Sequence, residues 1–302
     1  MVHMNHYDKT AWQEALQKLE GAYAQNTIDA YYRDTRKFVD WCETKNYEPF
    51  PLEEAVMIEF LQSMVEGLSR STIDRRICSI RRMNQVLGFT TQTGEAFHIA
   101  HRRMKRSKPH HCRQAHGINE DLLLRAIAAL PETLTGIRNR AMLSLGYDFL
   151  ARRSELVALR MGDVSFQYDG TLRGVIRRGK ADPFGRGRLA FGSERSAKLL
   201  RRWLRRKPKD IDWLFCSTLR GACLNQPICD RRANQIIKCA VCRVRGHRPR
   251  DAEISGHSLR VGAAQDLLIK GFDTAAIMRA GGWRSLSALN GYLDLAEHNV
   301  WK

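Results

Sequence analysis

Ser255-Gly256-His257-Ser258-Leu259-Arg260-Val261-Gly262-Ala263-Ala264 is the stretch from which the rest of this chain is read. A Ser-Gly turn gives way to apolar residues at helical spacing, which predicts a helix over Ser258–Gly271. His257 and Arg260 then stand three residues apart on one face of the helix start. Free N–H groups and the dipole favour an anion there. Ser258 also reads as a plain cap, and a lone histidine is more often structural. What lies upstream and downstream decides between the two readings.

Downstream, Ile277-Met278-Arg279-Ala280-Gly281-Gly282-Trp283 ends in a tight Gly-Gly turn that can push an indole into a pocket. The indole N–H donates only, so it suits a phosphate oxygen, although a core tryptophan fits the same text. Nine residues later comes Tyr292, in Asn290-Gly291-Tyr292-Leu293. Upstream, Arg152 precedes a helix over Ser154–Arg160, with Glu155 three residues on. A surface salt bridge of little worth has that spacing too, and Arg153 competes with Arg152 for the role. Lys180 lies in Arg177-Arg178-Gly179-Lys180-Ala181-Asp182-Pro183-Phe184-Gly185, at the tip of an expected β-hairpin. Three cations, a histidine, an indole and a phenol suit nucleophilic attack on a phosphodiester. Cations and donors hold charge on the phosphate oxygens, and the phenol can bond covalently to phosphorus.

The composition points the same way. Among 302 residues the formal net charge is +18, for which a nucleic acid is the simplest partner. No run of eighteen apolar residues predicts a membrane span. The first residues lack a basic-then-apolar leader, so a cytoplasmic protein with no membrane partner is expected. Eight cysteines are scattered and expected to be reduced. Cys239 and Cys242 form one C-x-x-C near His247, which reads as ordinary thiols more readily than as half of a zinc site. No P-loop or dinucleotide motif occurs, and no cofactor is expected.

Along the chain, Ala11–Tyr23, Thr27–Lys45, Pro51–Gly67 and Ser71–Leu87 show apolar residues at helical spacing. Ser69 or Ser71 can cap the fourth and Gly88 can end it. The segment His101–Arg113 has six Lys or Arg in thirteen residues, a proline and no apolar period, so it reads as a linker able to lie along phosphates. Its Arg102, Arg103, Lys105, Arg106 and Lys108, with Arg75, Arg76, Arg81 and Arg82 on the fourth helix, are the candidate DNA contacts. Asn119 caps a helix through Leu130, Leu134–Tyr147 reads as buried, and strands are expected at Asp163–Phe166, Gly174–Arg178 and Arg188–Phe191. Helices resume at Arg195–Arg206, Cys229–Val241, Asp273–Ala280 and Ser285–Leu293. The fold class is mainly α with a small antiparallel β-sheet. Its expected domains are residues 1–107, a basic linker 108–117 and a second domain 118–302.

These motifs resemble the tyrosine recombinase (phage integrase) family, most of all its Cre-like branch, strongly over residues 118–292 and more weakly over 26–108. The resemblance implies a two-domain clamp on duplex DNA, with a helical core-binding domain and a mixed α/β catalytic domain. It implies site-specific recombination by a homotetramer on two DNA sites, in a bacterial, plasmid or phage setting at the nucleoid, with accessory proteins in some members. It casts Tyr292 as nucleophile, Arg152 and Arg260 as phosphate clamps, and Glu155 as the companion of Arg152. His257 and Trp283 assist, and Lys180 is the general acid for the 5′-hydroxyl. The implied 3′-phosphotyrosine chemistry conserves bond energy and needs neither ATP nor metal. A type IB topoisomerase, a hairpin-forming resolvase or a catalytically silent DNA-binding protein would share much of this sequence. In one respect the chain departs from the pattern: ten residues follow Tyr292 where relatives continue into a docking helix. Val300 and Trp301 read equally as a short apolar anchor, in cis or in trans, and as part of a frayed tail.

Overall fold

The computed structural model describes residues 11–90, 93–108, 115–177, 187–247 and 253–293. The chain divides into two compact units, Met1–Cys112 and Arg113–Lys302.

The first unit is all helical: α1 (Ala11–Gln17), α2 (Gln25–Lys45), α3 (Glu54–Ser63), α4 (Arg70–Val86) and α5 (Glu95–Ser107). Trp12, Phe38, Phe60, Ile73, Phe97 and Met104 meet in its core. The side chain of Ser69 caps α4 by accepting the Thr72 N–H at 3.4 Å. Gly88 follows that helix with φ of 90°, in the left-handed region. Asp34 of α2 is buried beneath α4, where it accepts hydrogen bonds from Arg75 and from Ser79 Oγ, the latter at 2.9 Å.

One expectation fails here. Residues 101–107 are not linker but the second half of α5. Their apolar anchors are sparse, Phe97 and Met104 seven residues apart, so the charges hide the helical period. His101 stacks on Phe97 with ring centroids 5.5 Å apart and bonds Asp74 at 2.6 Å. Helices α1 and α3 are also shorter than their apolar spacing suggests.

The second unit begins with α6 (Glu120–Ala128), capped by Asn119 Oδ1 accepting from the Leu122 N–H at 3.0 Å. It continues through α7 (Leu134–Asp148), α8 (Arg153–Val157), a 3-10 turn at Met161–Asp163, and strands β1 (Val164–Phe166), β2 (Leu172–Ile176) and β3 (Arg188–Gly192). Then come α9 (Glu194–Leu204), β4 (Cys216–Leu219), β5 (Ala222–Pro227), α10 (Asp230–Arg245), α11 (Ser258–Ile269), α12 (Thr274–Gly281) and α13 (Leu286–Leu293). The first three strands form an antiparallel sheet in sequence order, with Val164 opposite Gly174 and Val175 opposite Leu189. Its inner face packs on Phe149: a Cβ at Gly174 would lie 2.4 Å from that ring.

The hairpin β4–β5 is absent from the sequence expectations. Its strands are mostly half-exposed and lack clean alternation. Its turn is Arg220-Gly221, both at positive φ, rather than the usual Asn-Gly.

Helix α7 is buried nearly all round because it separates two cores. Met142, Leu145 and Phe149 face the sheet and α9. Leu143 and Tyr147 face α6, α10 and α11. The chain enters this unit along α11: the Ile118 N–H donates to Ser258 O at 2.8 Å, and a Cβ at Gly262 would lie 1.9 Å from Ile118 O. That close approach fixes the helix carrying Arg260. No helix among the described residues is long and apolar enough to cross a membrane.

Candidate active site

After α7 the backbone kinks at Leu150, whose φ of 44° lies in the left-handed region that favours glycine. The kink turns the Leu150 carbonyl toward two arginines. It accepts from Arg260 Nη1 and from Arg188 Nη2, the second at 3.3 Å. It also delivers Arg152 to the N-terminus of α8. The Arg152 backbone N–H donates to Glu155 Oε2 at 3.0 Å, and its Nη1 donates to Oε1 at 2.6 Å. Glu155 is 4% exposed. Burial works to raise its carboxyl, but the Arg152 bonds and the Arg152 and Arg188 charges outweigh it and hold the group below the usual range. The competitor Arg153 is engaged elsewhere, donating to Asp230 at 3.1 Å.

Arg260 is fully buried on α11. Its guanidinium carbon lies 3.9 Å from the centroid of the Trp283 ring and 5.6 Å from that of Tyr292. Burial, and then the neighbouring Arg152, push its pKa down to about 10, so it remains charged near neutrality. Trp283 and Tyr292 meet edge to face, centroids 5.0 Å apart at 70°. The indole needs the two glycines before it. A Cβ at Gly281 would lie 1.8 Å from its Cζ3, and Gly282 ends α12 with φ of 69°. On α13, the Tyr292 carbonyl accepts from Gln265 Nε2 of α11 at 3.1 Å. His257 stands exposed at the start of α11, its backbone N–H on Ser255 Oγ at 3.1 Å. Ser258 Oγ in turn accepts from the Ser255 N–H at 3.0 Å.

Arg260 Nε and Nη2 and Trp283 Nε1 are buried without a hydrogen-bond partner among the described residues. Each orphaned donor costs about 1–3 kcal/mol, more on a charged group. Three such donors on two side chains in contact are readily relieved by an anion with several acceptor oxygens, and a phosphodiester is one.

The structure thus brings together Arg152, Glu155, Arg260, Trp283 and Tyr292, with His257 one turn before Arg260. Lys180 lies outside the described residues, as does the tail with Val300 and Trp301. One residue was missed. Arg188, expected only as the first residue of a strand, reaches the Arg152–Glu155 pair and the end of α12. The sequence pointed the other way: in Arg188-Leu189-Ala190-Phe191-Gly192 the large apolar residues are Leu189 and Phe191, an alternation that would send the arginine outward. Leu189 and Phe191 are exposed while Ala190 and Gly192 are buried, so the arginine sits on the inward face.

Among the expected DNA contacts, Arg75 and Arg76 face Asp34, and Arg82 Nη2 donates to Tyr23 Oη at 2.6 Å. Lys108 donates to Leu68 O at 2.7 Å. Arg81 and Lys105 line one cleft, of about 510 Å³, with Tyr23 and Tyr31. Arg102, Arg103 and Arg106 are exposed on α5. Cys239 and Cys242 sit on α10, and no group of three His, Cys, Asp or Glu among the described residues could hold a metal.

Comparison with known proteins adds the following. The model of the phage integrase family matches residues 116–299, and that of the phage integrase N-terminal SAM-like domain matches residues 10–88. An integrase/recombinase XerD homologue of Selenomonas ruminantium is 26% identical over 302 residues, covering 96% of this chain and 86% of its own length. The recombinase Cre of Escherichia phage P1 is 24% identical over 290 residues, covering 90% and 84%. Among solved structures, the XerH site-specific recombinase in a post-cleavage complex with its difH substrate superposes with a TM-score of 0.69 at 17% identity. That match covers 94% of this chain and 80% of XerH. A lambda integrase dimer bound to a core site gives 0.65 at 15% identity, covering 96% of each chain.

Proposed function

The chain belongs to the phage integrase family of tyrosine site-specific recombinases, and from that premise we propose that it cuts and rejoins duplex DNA through a covalent bond to Tyr292. The Tyr292 phenol gives up its proton to solvent as its oxygen attacks the scissile phosphorus, the bond to the 5′-oxygen breaks, and a 3′-phosphotyrosine forms. Arg152 and Arg260 hold the charge that gathers on the non-bridging oxygens, and Trp283 and His257 add neutral or cationic donors. Glu155 orients Arg152. Lys180 protonates the departing 5′-oxygen. Attack by a 5′-hydroxyl from the partner duplex reverses each step, so the phosphoester count is unchanged and no ATP or metal is required. Four protomers on two DNA sites complete an exchange, each gripping duplex through its helical unit (residues 1–107) and its catalytic unit (118–302). The exposed arginines of α5 and the basic α4 contact phosphates.

What supports this reading above all is the set of orphaned donors on Arg260 and Trp283 beside the Tyr292 ring. Buried arginine Nε atoms also lack partners elsewhere among the described residues, Arg140 and Arg188 included, so the weight rests on Arg260 Nη2 and the Trp283 indole N–H, groups that are normally paired when buried. The test uses nicked DNA carrying the site recombined in vivo, which traps the cut state. A protein–DNA adduct should survive denaturing electrophoresis with the native chain. It should be missing with Tyr292→Phe while DNA affinity stays the same. An adduct that persists in Tyr292→Phe would refute the assignment.

A further inference from the structure

We infer that Arg188 is a positioning residue for this reaction: its guanidinium ties strand β3 to the Arg152–Glu155 pair on one side and to the Gly281–Trp283 turn on the other. The inference rests on the proposed function and adds to it a residue that does not itself face the phosphate.

The geometry is that of a clamp. Arg188 Nη1 donates to Ala280 O at 2.7 Å. That carbonyl belongs to the last turn of α12, where no further helical N–H is available to it. Nη2 donates to Phe149 O at 2.8 Å and reaches Leu150 O at 3.3 Å and Glu155 Oε2 at 3.4 Å. One planar group therefore touches the end of α7, the start of α8 and the end of α12. Each of these leads directly into a candidate residue: Leu150 into Arg152, Glu155 itself, and Ala280 into Trp283. The stem of Arg188 lies so near Gly282 that a Cβ there would be 2.6 Å from its Cδ. Gly282 is thus needed for space as well as for its positive φ.

Packing alone does not account for an arginine here. The side chain is 14% exposed and sits on the inward face of β3 beside Ala190 and Gly192. Burial depresses its pKa, with the Glu155 charge opposing, so the site carries a desolvation cost that an apolar residue would avoid. The fork is what an apolar residue lacks. Its two ends are held at a fixed angle, so the separation between the Trp283 turn and the Arg152–Glu155 pair is set by a rigid group. Lysine keeps the charge but satisfies only one set of acceptors at a time.

The experiment compares the native protein, Arg188→Gln and Arg188→Lys on the nicked trapping substrate, in single turnover, with DNA affinity and thermal unfolding measured alongside. The expected result is unchanged affinity for all three and a covalent step about 100-fold slower in Arg188→Gln, the scale of loss for a displacement of order 1 Å in a reacting group. Arg188→Lys should fall between, a graded rescue that simple filling of space would not give. Arg188→Gln cleaving at the native rate, or losing affinity and cleavage in step, overturns the inference. If Arg188→Gln fails to fold, Arg188→Lys decides alone. Slower cleavage at native affinity supports the clamp, and the native rate refutes it. Failure of the proposed function looks different, because the native chain itself would then give no adduct.

Discussion

Glu155 owes its ionisation to two arginines that win against its burial, and this gives it a signature in pH. Its folded pKa lies below the unfolded value of about 4.3. The stabilisation it brings is therefore complete above that value and is lost as pH falls through the lower folded pKa. Glu155→Gln should cost about 3 kcal/mol at pH 7, by leaving Arg152 and Arg188 without their carboxylate. The gap to the native protein should stay level from pH 8 to 6 and close below about pH 4. Thermal melts across that range would show it, and a gap that widens in acid would contradict the assignment. At Gly281 the prediction is steric. A Cβ there lies 1.8 Å from Trp283, so Gly281→Ala must displace the indole. The covalent step should fall about 100-fold with DNA affinity retained, read on the trapping substrate.

At the scale of elements, α11 is the part most tightly specified. Its Gly262 lets the backbone of Ile118 pass within van der Waals reach, and Gly262→Ala brings Cβ to 1.9 Å of a carbonyl oxygen that cannot move without shifting the whole entry segment. A loss of about 3 kcal/mol, the upper part of the usual range for overpacking, is expected in chemical unfolding. A native midpoint would disprove the close approach. Helices dense in apolar residues, such as α7 and α11, were legible in the sequence to within a residue or two, as were β1 and β3, whereas β2 was expected at Gly174–Arg178 and runs over Leu172–Ile176. The failures have local causes. Helix α5 carries only Phe97 and Met104 as fully buried apolar residues, so its charges masked its period. Strands β4 and β5 are half-exposed and joined by an uncommon turn. The grouping of Arg152, Glu155, Arg260, Trp283 and Tyr292 was legible because these candidates lie in short motifs, whereas Arg188 was not, since its partners lie 33 to 92 residues away and only tertiary contact reveals them.

For the whole molecule, the charge of +18 sets how binding responds to salt. Each phosphate neutralised contributes about 0.9 to the slope of log affinity against log salt. Replacing Arg103 and Arg106 of α5 together by glutamine should lower that slope by about 2 if both touch phosphate, with equal effect on specific and random DNA. An unchanged slope, measured by anisotropy between 50 and 300 mM salt, would remove α5 from the interface. The same molecule carries its own optical probe. Six tryptophans emit together; among the described residues Arg160 also lies over the Trp213 ring, but it is Trp283 that has Tyr292 against its edge as well as Arg260 over its face. Turning that phenol into a phosphate ester changes the charge and the polarity beside a single indole. The emission difference between the native chain and Tyr292→Phe on the trapping substrate therefore isolates one fluorophore, and strand cleavage can be followed in real time without a label on protein or DNA.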